Sequence, residues 1–305
     1  MPMIRDRTRD AFSARSQQVM VLFVLQALAL LLVVAAAHAE PAYRRIVSLG
    51  PDVTEIAMAL GAADRIVAVD RSSRYPEAAA AKPNVGYRRA LSAEGIIALN
   101  PDLILAAEDI GPPEAVDILK GLSVPMLFVP EGNSGEGIVR KIEVIARILG
   151  EEEKGEHLAA TVLADFREAA ELGASIPQAE RRKVVFFHGL ARLTGAGSDT
   201  SADAIIRYAG GTNPLAEYSG YKAVSEEKLL EVGPDVVLMM PDAAGGPKPD
   251  DVFAIPALAT TPAGKNKALV VLQGPYMLGF GPRTAEAIRD LARALYPERL
   301  QTQGN

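Results

Sequence analysis

The chain has 305 residues and a formal charge of −6, long enough for one large domain or two ordinary lobes. The acidic balance argues against a nucleic-acid binder, which carries a basic surface or stripe. With no cysteine in the sequence, disulfides, thiol catalysis and cysteine-ligated metal are excluded.

Arg5, Arg7, Arg9 and Arg15 precede an apolar run over 19–37 that closes in Ala37-His38-Ala39, the small-x-small pattern of a cleavage site. Residues 1–39 therefore read as a signal peptide, with Glu40 the first mature residue. The alternative is an uncleaved anchor, because the run is nearly long enough to span a bilayer. No cysteine stands at the cleavage point to carry a lipid, so the expected product is a soluble exported protein without stable membrane insertion.

The mature part reads as α/β. Strand 45–49, a turn at 50–52, helix 53–60 and strand 66–69 come first, with a polar loop over 70–76. Asp70 stands 20 residues after Gly50, as in a dinucleotide-binding unit, but no G-x-G-x-x-G is present and Pro51 removes a donor from the turn. Strand 103–106, helix 113–121 and strand 126–129 complete an N-terminal α/β lobe over 40–134. Ile138, Ile142, Ile145 and Leu149 form an apolar stripe, and Leu158, Val162 and Phe166 resume it beyond Gly150. Residues 135–175 are therefore expected as a helix connecting two lobes. The C-terminal α/β lobe, 176–305, holds strands 183–187, 193–197 and 268–272 and helices 200–209 and 282–295, with a surface excursion over 241–250. GAGSDT lacks the elements of a phosphate loop and reads as a turn and helix cap.

One unit occurs twice. GYRRALSAEGIIALNPDLIL begins at Gly86 and GYKAVSEEKLLEVGPDVVL at Gly220. Ser92 matches Ser225, Glu94 matches Glu227 and Asp102 matches Asp235, each pair 133 residues apart; Tyr87 and Tyr221 are 134 apart. Each copy reads as a Gly-Tyr loop, a serine cap, a short helix with Glu in its first turn, a Pro break and a strand. Duplication predicts two similar lobes facing each other, with a tyrosine from each near the cleft.

Few residues offer chemistry. The mature chain has only His157 and His188, no H-E-x-x-H and no G-x-S-x-G, so neither a zinc hydrolase nor a nucleophile-elbow enzyme is expected. His157 reads as a surface residue of a charged helix. His188 closes a strand and reads either as a ligand or as a packing residue. Tyr87, followed by Arg88 and Arg89, reads either as a hard oxygen donor for ferric iron or as a rim tyrosine among solubilising arginines. Arg71, Arg74, Arg88 and Arg89 suit carboxylates on a ligand.

RIVSLGPDVTEIAMALG, DRSSRYP, VGYRRALSAEGIIALNPDLIL, GAGSDTSADAIIRYAGGTN and GYKAVSEEKLLEVGPDVVLMM together resemble the periplasmic haemin-binding proteins of ABC-type haem importers. These belong to a wider group that carries cobalamin and ferric siderophores. The resemblance implies two Rossmann-like α/β lobes bridged by a single long helix, with the ligand in the cleft, and a binding protein rather than an enzyme. It implies haem b (haemin) as the transported ligand and Tyr87 as its axial ligand. Arg74 and Arg88 are first choices for the propionates, with Arg71 and Arg89 beside them. His188 and Tyr221 stand as alternatives for a second ligand. Glu94 and Glu227 match the pair that docks on arginines of the permease dimer, which works with its ATPase. The alternative cargo is cobalamin or a ferric siderophore.

Overall fold

The computed structural model describes residues 42–190, 192–241 and 245–300, so the candidate signal peptide and part of the 241–250 excursion lie outside it. β1 (Ile46–Leu49) leads through α1 (Pro51–Ala59) to β2 (Ile66–Val69). Pro51, expected in a turn, is the first residue of α1, where a missing N–H leaves no helical bond unmade. An antiparallel hairpin of β3 (Gly86–Tyr87) and β4 (Ala90–Leu91) precedes α2 (Ala93–Ile97), β5 (Leu103–Ala107), α3 (Pro113–Lys120) and β6 (Met126–Val129). Outside the hairpin the strands form one parallel sheet in the order β2-β1-β5-β6.

The connecting segment is two helices rather than one. α4 (Gly135–Leu149) stops at Gly150, whose φ of 72° is a left-handed cap that a side chain would disfavour. α5 (Glu152–Ala174) then turns back along α4. α5 begins beside the first lobe, where Arg65 donates to the Leu149 carbonyl at 3.1 Å and pairs with Glu151. It ends on the second lobe, with Phe166 edge-on to Tyr208 at 4.8 Å and Asp165 paired with Arg289. Its 23 residues span about 34 Å at the helical rise, so the bridge is long, as expected.

The second lobe runs β7 (Val184–Phe187), β8 (Thr194–Ala196), α6 (Ser201–Tyr208), β9 (Tyr221–Ala223), α7 (Glu226–Val232), β10 (Val236–Met239), β11 (Leu269–Val271), α8 (Gly274–Leu278) and α9 (Thr284–Leu295). Its sheet order is β11-β10-β7-β8-β9; the first three are parallel, and β8 and β9 run antiparallel at the edge.

Period-two alternation divides each sheet between two apolar layers. Val184, Phe186, Val236 and Leu238 face a core shared with Ile46, Leu103, Leu105 and the Ile138–Ile142–Ile145 stripe of α4. Val185, Phe187, Val237 and Met239 face a separate cluster on the outer side of the second lobe. Val47, Leu49, Ile104 and Ala106 do the same in the first. A core continuous from one lobe through the bridge to the other resists the wide opening of a flexible hinge.

Polar contacts lock the same junction. Lys141, buried within the α4 stripe, donates to Asp52 of the first lobe at 2.5 Å and to the carbonyls of Gly279 and Phe280 at 3.0 and 3.2 Å. Arg283 of the second lobe grips Glu55 of α1 with two bonds of 3.0 and 2.9 Å and lies over the Tyr75 ring.

The duplicated unit is visible atom by atom. Ser92 and Ser225 accept from the N–H of Gly95 and Lys228, each at 3.2 Å, capping α2 and α7. Asn100, in the turn after α2, and Gly233, the cap of α7, stand at matching positions and both adopt the left-handed region. Asp102 then accepts from the N–H groups of Arg44 and Arg45, and Asp235 from that of Lys183, so each ties the start of its lobe to the strand that follows.

Candidate functional site

On the first-lobe side the site is the β3–β4 hairpin. Tyr87 opposes Ala90, which leaves Arg88 and Arg89 as its two-residue turn. The loop after β2 is drawn against it by a 2.7 Å bond from the Arg71 N–H to the Gly86 carbonyl. That places the Arg71 guanidinium 5.6 Å from the centre of the Tyr87 ring. Asp70 orders this loop, accepting from the N–H groups of Gly50 and Ser72 and from the hydroxyls of Ser72 and Ser73. Its dinucleotide-like spacing therefore serves loop geometry.

Asp109, unremarked in the sequence, organises the arginines. Its two oxygens take Arg88 and Arg89 at 2.6 Å each, so one carboxylate holds two guanidiniums side by side. For Arg89, burial works to lower the pKa, but Asp109 prevails and the net shift is upward. Arg74 is exposed and does not line the cleft. Of the four candidate arginines, Arg88 and Arg89 line it and Arg71 stands behind Tyr87.

The second-lobe side is aromatic. His188 follows β7 and Tyr221 opens β9, their ring centres 4.5 Å apart, with Phe186 edge-on to His188 at 5.1 Å. Burial lowers the His188 pKa from its usual 6.5, and the charge of Arg89 lowers it further. The shift favours the neutral imidazole, whose nitrogen lone pair suits a metal or a donor. Burial raises the Tyr221 pKa, against Arg89, a backbone bond at Ala202, Arg88 and the Thr200 side chain. Arg89 of the first lobe therefore acts on both rings of the second.

Between the two sides lies a cavity of about 500 Å³. Tyr87, Arg88, Arg89 and Asp109 line it from one lobe, His188, Tyr221 and Thr200 from the other, and Lys141 and Asp52 from the junction. An adjoining cavity of about 470 Å³ around Asp203 and Arg207 holds none of the candidate ligands. The cleft is sized for a small-molecule ligand and offers aromatic faces, an oxygen donor, a neutral imidazole and fixed cations. Among the described residues no group of three or more His, Asp or Glu is arranged to hold a bare metal ion. No described helix is long and apolar enough to cross a membrane.

Glu94 and Glu227 stand apart from the cleft lining, exposed in the first turns of α2 and α7. The Ser92 hydroxyl donates to Glu94 at 3.1 Å. The Glu227 pKa is lowered by its own backbone N–H and then by Ser225. The first two residues of GAGSDT close β8, and the remainder forms the turn and cap expected of it, with Thr200 accepting from the N–H of Asp203.

The periplasmic haem-binding protein RhuT from Roseiflexus sp. RS-1, solved without ligand, superposes with a TM-score of 0.78 at 38% identity, over 83% of this chain and 98% of that one. BhuT, a periplasmic haem-binding protein solved with two haems, superposes with a TM-score of 0.77 at 36% identity, over the same shares. A vitamin B12-binding protein of Vibrio parahaemolyticus is 30% identical over 249 residues, 80% of this chain and 86% of that protein. The family model described as periplasmic binding protein matches residues 46–276. With most of the chain matched, it belongs to the periplasmic binding protein family.

Proposed function

We propose that this protein captures haem b (haemin) in the periplasm and delivers it, unchanged, to the permease dimer and ATPase of an ABC importer. The observation that carries the reading is the facing of Tyr87, on an arginine-bearing hairpin, with the His188–Tyr221 pair across one cleft. A tyrosine oxygen is a hard anionic donor that holds ferric haem iron. Tyr87 is accordingly the axial ligand, and His188, on the opposite wall with its pKa lowered by burial, is the stronger candidate for a second ligand than Tyr221. The flat macrocycle suits the aromatic faces, and its two propionates suit the guanidinium forks of Arg88 and Arg89, with Arg71 beside Tyr87. The likeness to RhuT and BhuT supports haem as cargo.

The test is an absorption titration of the purified protein with haemin. A shifted, saturable haem spectrum that Tyr87→Phe abolishes is the expected result. Cobalamin is the second reading, favoured by the relative from Vibrio parahaemolyticus. Tight cobalamin binding with none for haemin would establish it and end the haem assignment.

A further inference from the structure

Seven charged side chains line the cleft, Arg88, Arg89 and Lys141 against Asp52, Asp109, Glu131 and Asp199. Three cations against four acids give no net positive charge, so bulk attraction does not hold an anionic ligand here. Lys141 has nothing left to offer: its three N–H donors meet Asp52 and the carbonyls of Gly279 and Phe280. Directed bonds to carboxylates therefore fall to Arg88 and Arg89, and Asp109 already holds both. Arg88 gives it Nη1 and Arg89 gives it Nη2, one nitrogen apiece, at 2.6 Å. A guanidinium carries five N–H donors, so each arginine keeps donors for a second carboxylate, Arg88 along its whole Nε–Nη2 edge. The main chain fixes the hairpin on its own account, because Gly111 donates to the Arg88 carbonyl at 2.8 Å and accepts from the Leu91 N–H at 2.9 Å. The Asp109 side chain is thus left with one task, the placement of the two guanidiniums.

We propose that Asp109 is a positioning residue for the cargo: it sets the two guanidiniums side by side, so that together they take two carboxylates from one edge of a planar ligand. The proposal rests on the haem reading above and names what selects the cargo's carboxylate edge. Asp109 has two opposed effects on such a ligand. It cancels one of the two positive charges, which weakens attraction. It also holds like charges together on adjacent residues, where repulsion would splay them and binding would have to order them again. The second effect is the larger. Arginine–carboxylate bonds are directional forks, whereas the extra charge sits partly in solvent, with the Arg89 side chain 52% exposed, and is screened there. Haem carries its two propionates on neighbouring pyrroles, one for each arginine. An isomer with propionates on opposite pyrroles has the same charge and size but brings only one of them to the hairpin tip.

The test is haemin titration of the purified protein and of Asp109→Asn, which keeps the side-chain shape and removes the charge. On charge alone the variant should bind haemin more tightly; on placement it should bind roughly five- to fiftyfold more weakly, and the loss is the expected result. Two further ferric porphyrins make the reading specific. Haemin dimethyl ester has no carboxylates, so its affinity should change less than about twofold in the variant. The opposite-edge isomer should bind wild type less tightly than haemin does, and Asp109→Asn should narrow that gap. Haemin binding unchanged or tightened by Asp109→Asn, or a gap that persists in full, would overturn the proposal. So would an equal loss for haemin and its dimethyl ester, which would mark Asp109 as a support of the whole site. Wild-type protein that binds none of the three porphyrins would instead end the haem assignment, and the proposal with it.

Discussion

The two copies of the duplicated unit differ most where they face each other. In the first lobe the glycine–tyrosine segment forms a separate two-stranded β3–β4 hairpin, and the residues at its tip are Arg88 and Arg89. In the second, one residue shorter before the serine, it runs as β9 along the edge of the main sheet, and Tyr221 is backed by His188 and Phe186. One residue of length thus accompanies the difference between a cationic hairpin, tied to its lobe through Gly86, Arg88 and Leu91, and an aromatic wall. The helices that follow keep the serine cap and the exposed glutamate in both copies. Divergence inside the cleft and retention outside it suit a cargo that presents different chemistry to each lobe.

That comparison presumes a fixed frame, and the largest expected effect comes from breaking it. Lys141 is the charge through which α4 holds both Asp52 and the carbonyls of Gly279 and Phe280. Lys141→Ala leaves the Asp52 carboxylate buried without its cation, and thermal or urea unfolding should show a loss of about 3–5 kcal/mol. Lys141→Met, tested beside it, should behave almost the same, because the lost partner rather than lost volume sets the effect.

Next in size is the asymmetry of the tyrosines. Tyr87→Phe should weaken haemin binding by more than the roughly 10–100-fold that follows loss of a group one step removed from a metal. Tyr221→Phe should cost less than about tenfold, since its ring remains packed against His188. Equal losses would mean that the two walls contribute alike. A smaller effect is expected where the copies agree: Ser92→Ala and Ser225→Ala each remove one helix cap and should each cost about 0.5–2 kcal/mol of stability. Unequal costs would locate hidden divergence in the helices.

How much of this was legible follows the range of each interaction. The strands at 66–69 and 126–129 carry their own β-branched and aromatic signal, and the duplicated unit announces both tyrosines and both glutamates. The break at Gly150 was marked by the glycine, but the return of α5 along α4 depends on packing that no window of sequence contains. Asp109 lies 21 residues from Arg88 in an unremarkable turn, so nothing local marks it as the anchor of two arginines. Arg74 shows the converse: in sequence it differs little from Arg71, yet only Arg71 is carried to the hairpin, by its backbone bond to Gly86. Lys141 did leave a trace, because it stands three residues after Ile138 inside an otherwise apolar stripe. A cation at such a position calls for a buried partner, and Asp52 is that partner.

The smallest effect tests the one charge that crosses between the two walls. Arg89 belongs to the first lobe, yet it lowers the pKa of His188 in the second, adding to the larger effect of burial. Arg89→Gln should therefore raise the His188 pKa while leaving it below 6.5, because burial persists; NMR titration of the imidazole reads this directly. The sign for stability follows. Between the folded value and 6.5 the unfolded chain binds a proton at His188 that the folded chain refuses, so wild-type stability falls as pH drops through that window. Arg89→Gln narrows the window and softens the fall. For binding the effect runs the other way: an imidazolium has no lone pair, so any contribution of His188 to haemin affinity should fade at a higher pH in the variant. A His188 pKa unmoved by Arg89→Gln would mean that the lobes do not speak across the cleft through this charge, and that the aromatic wall is set by its own burial alone.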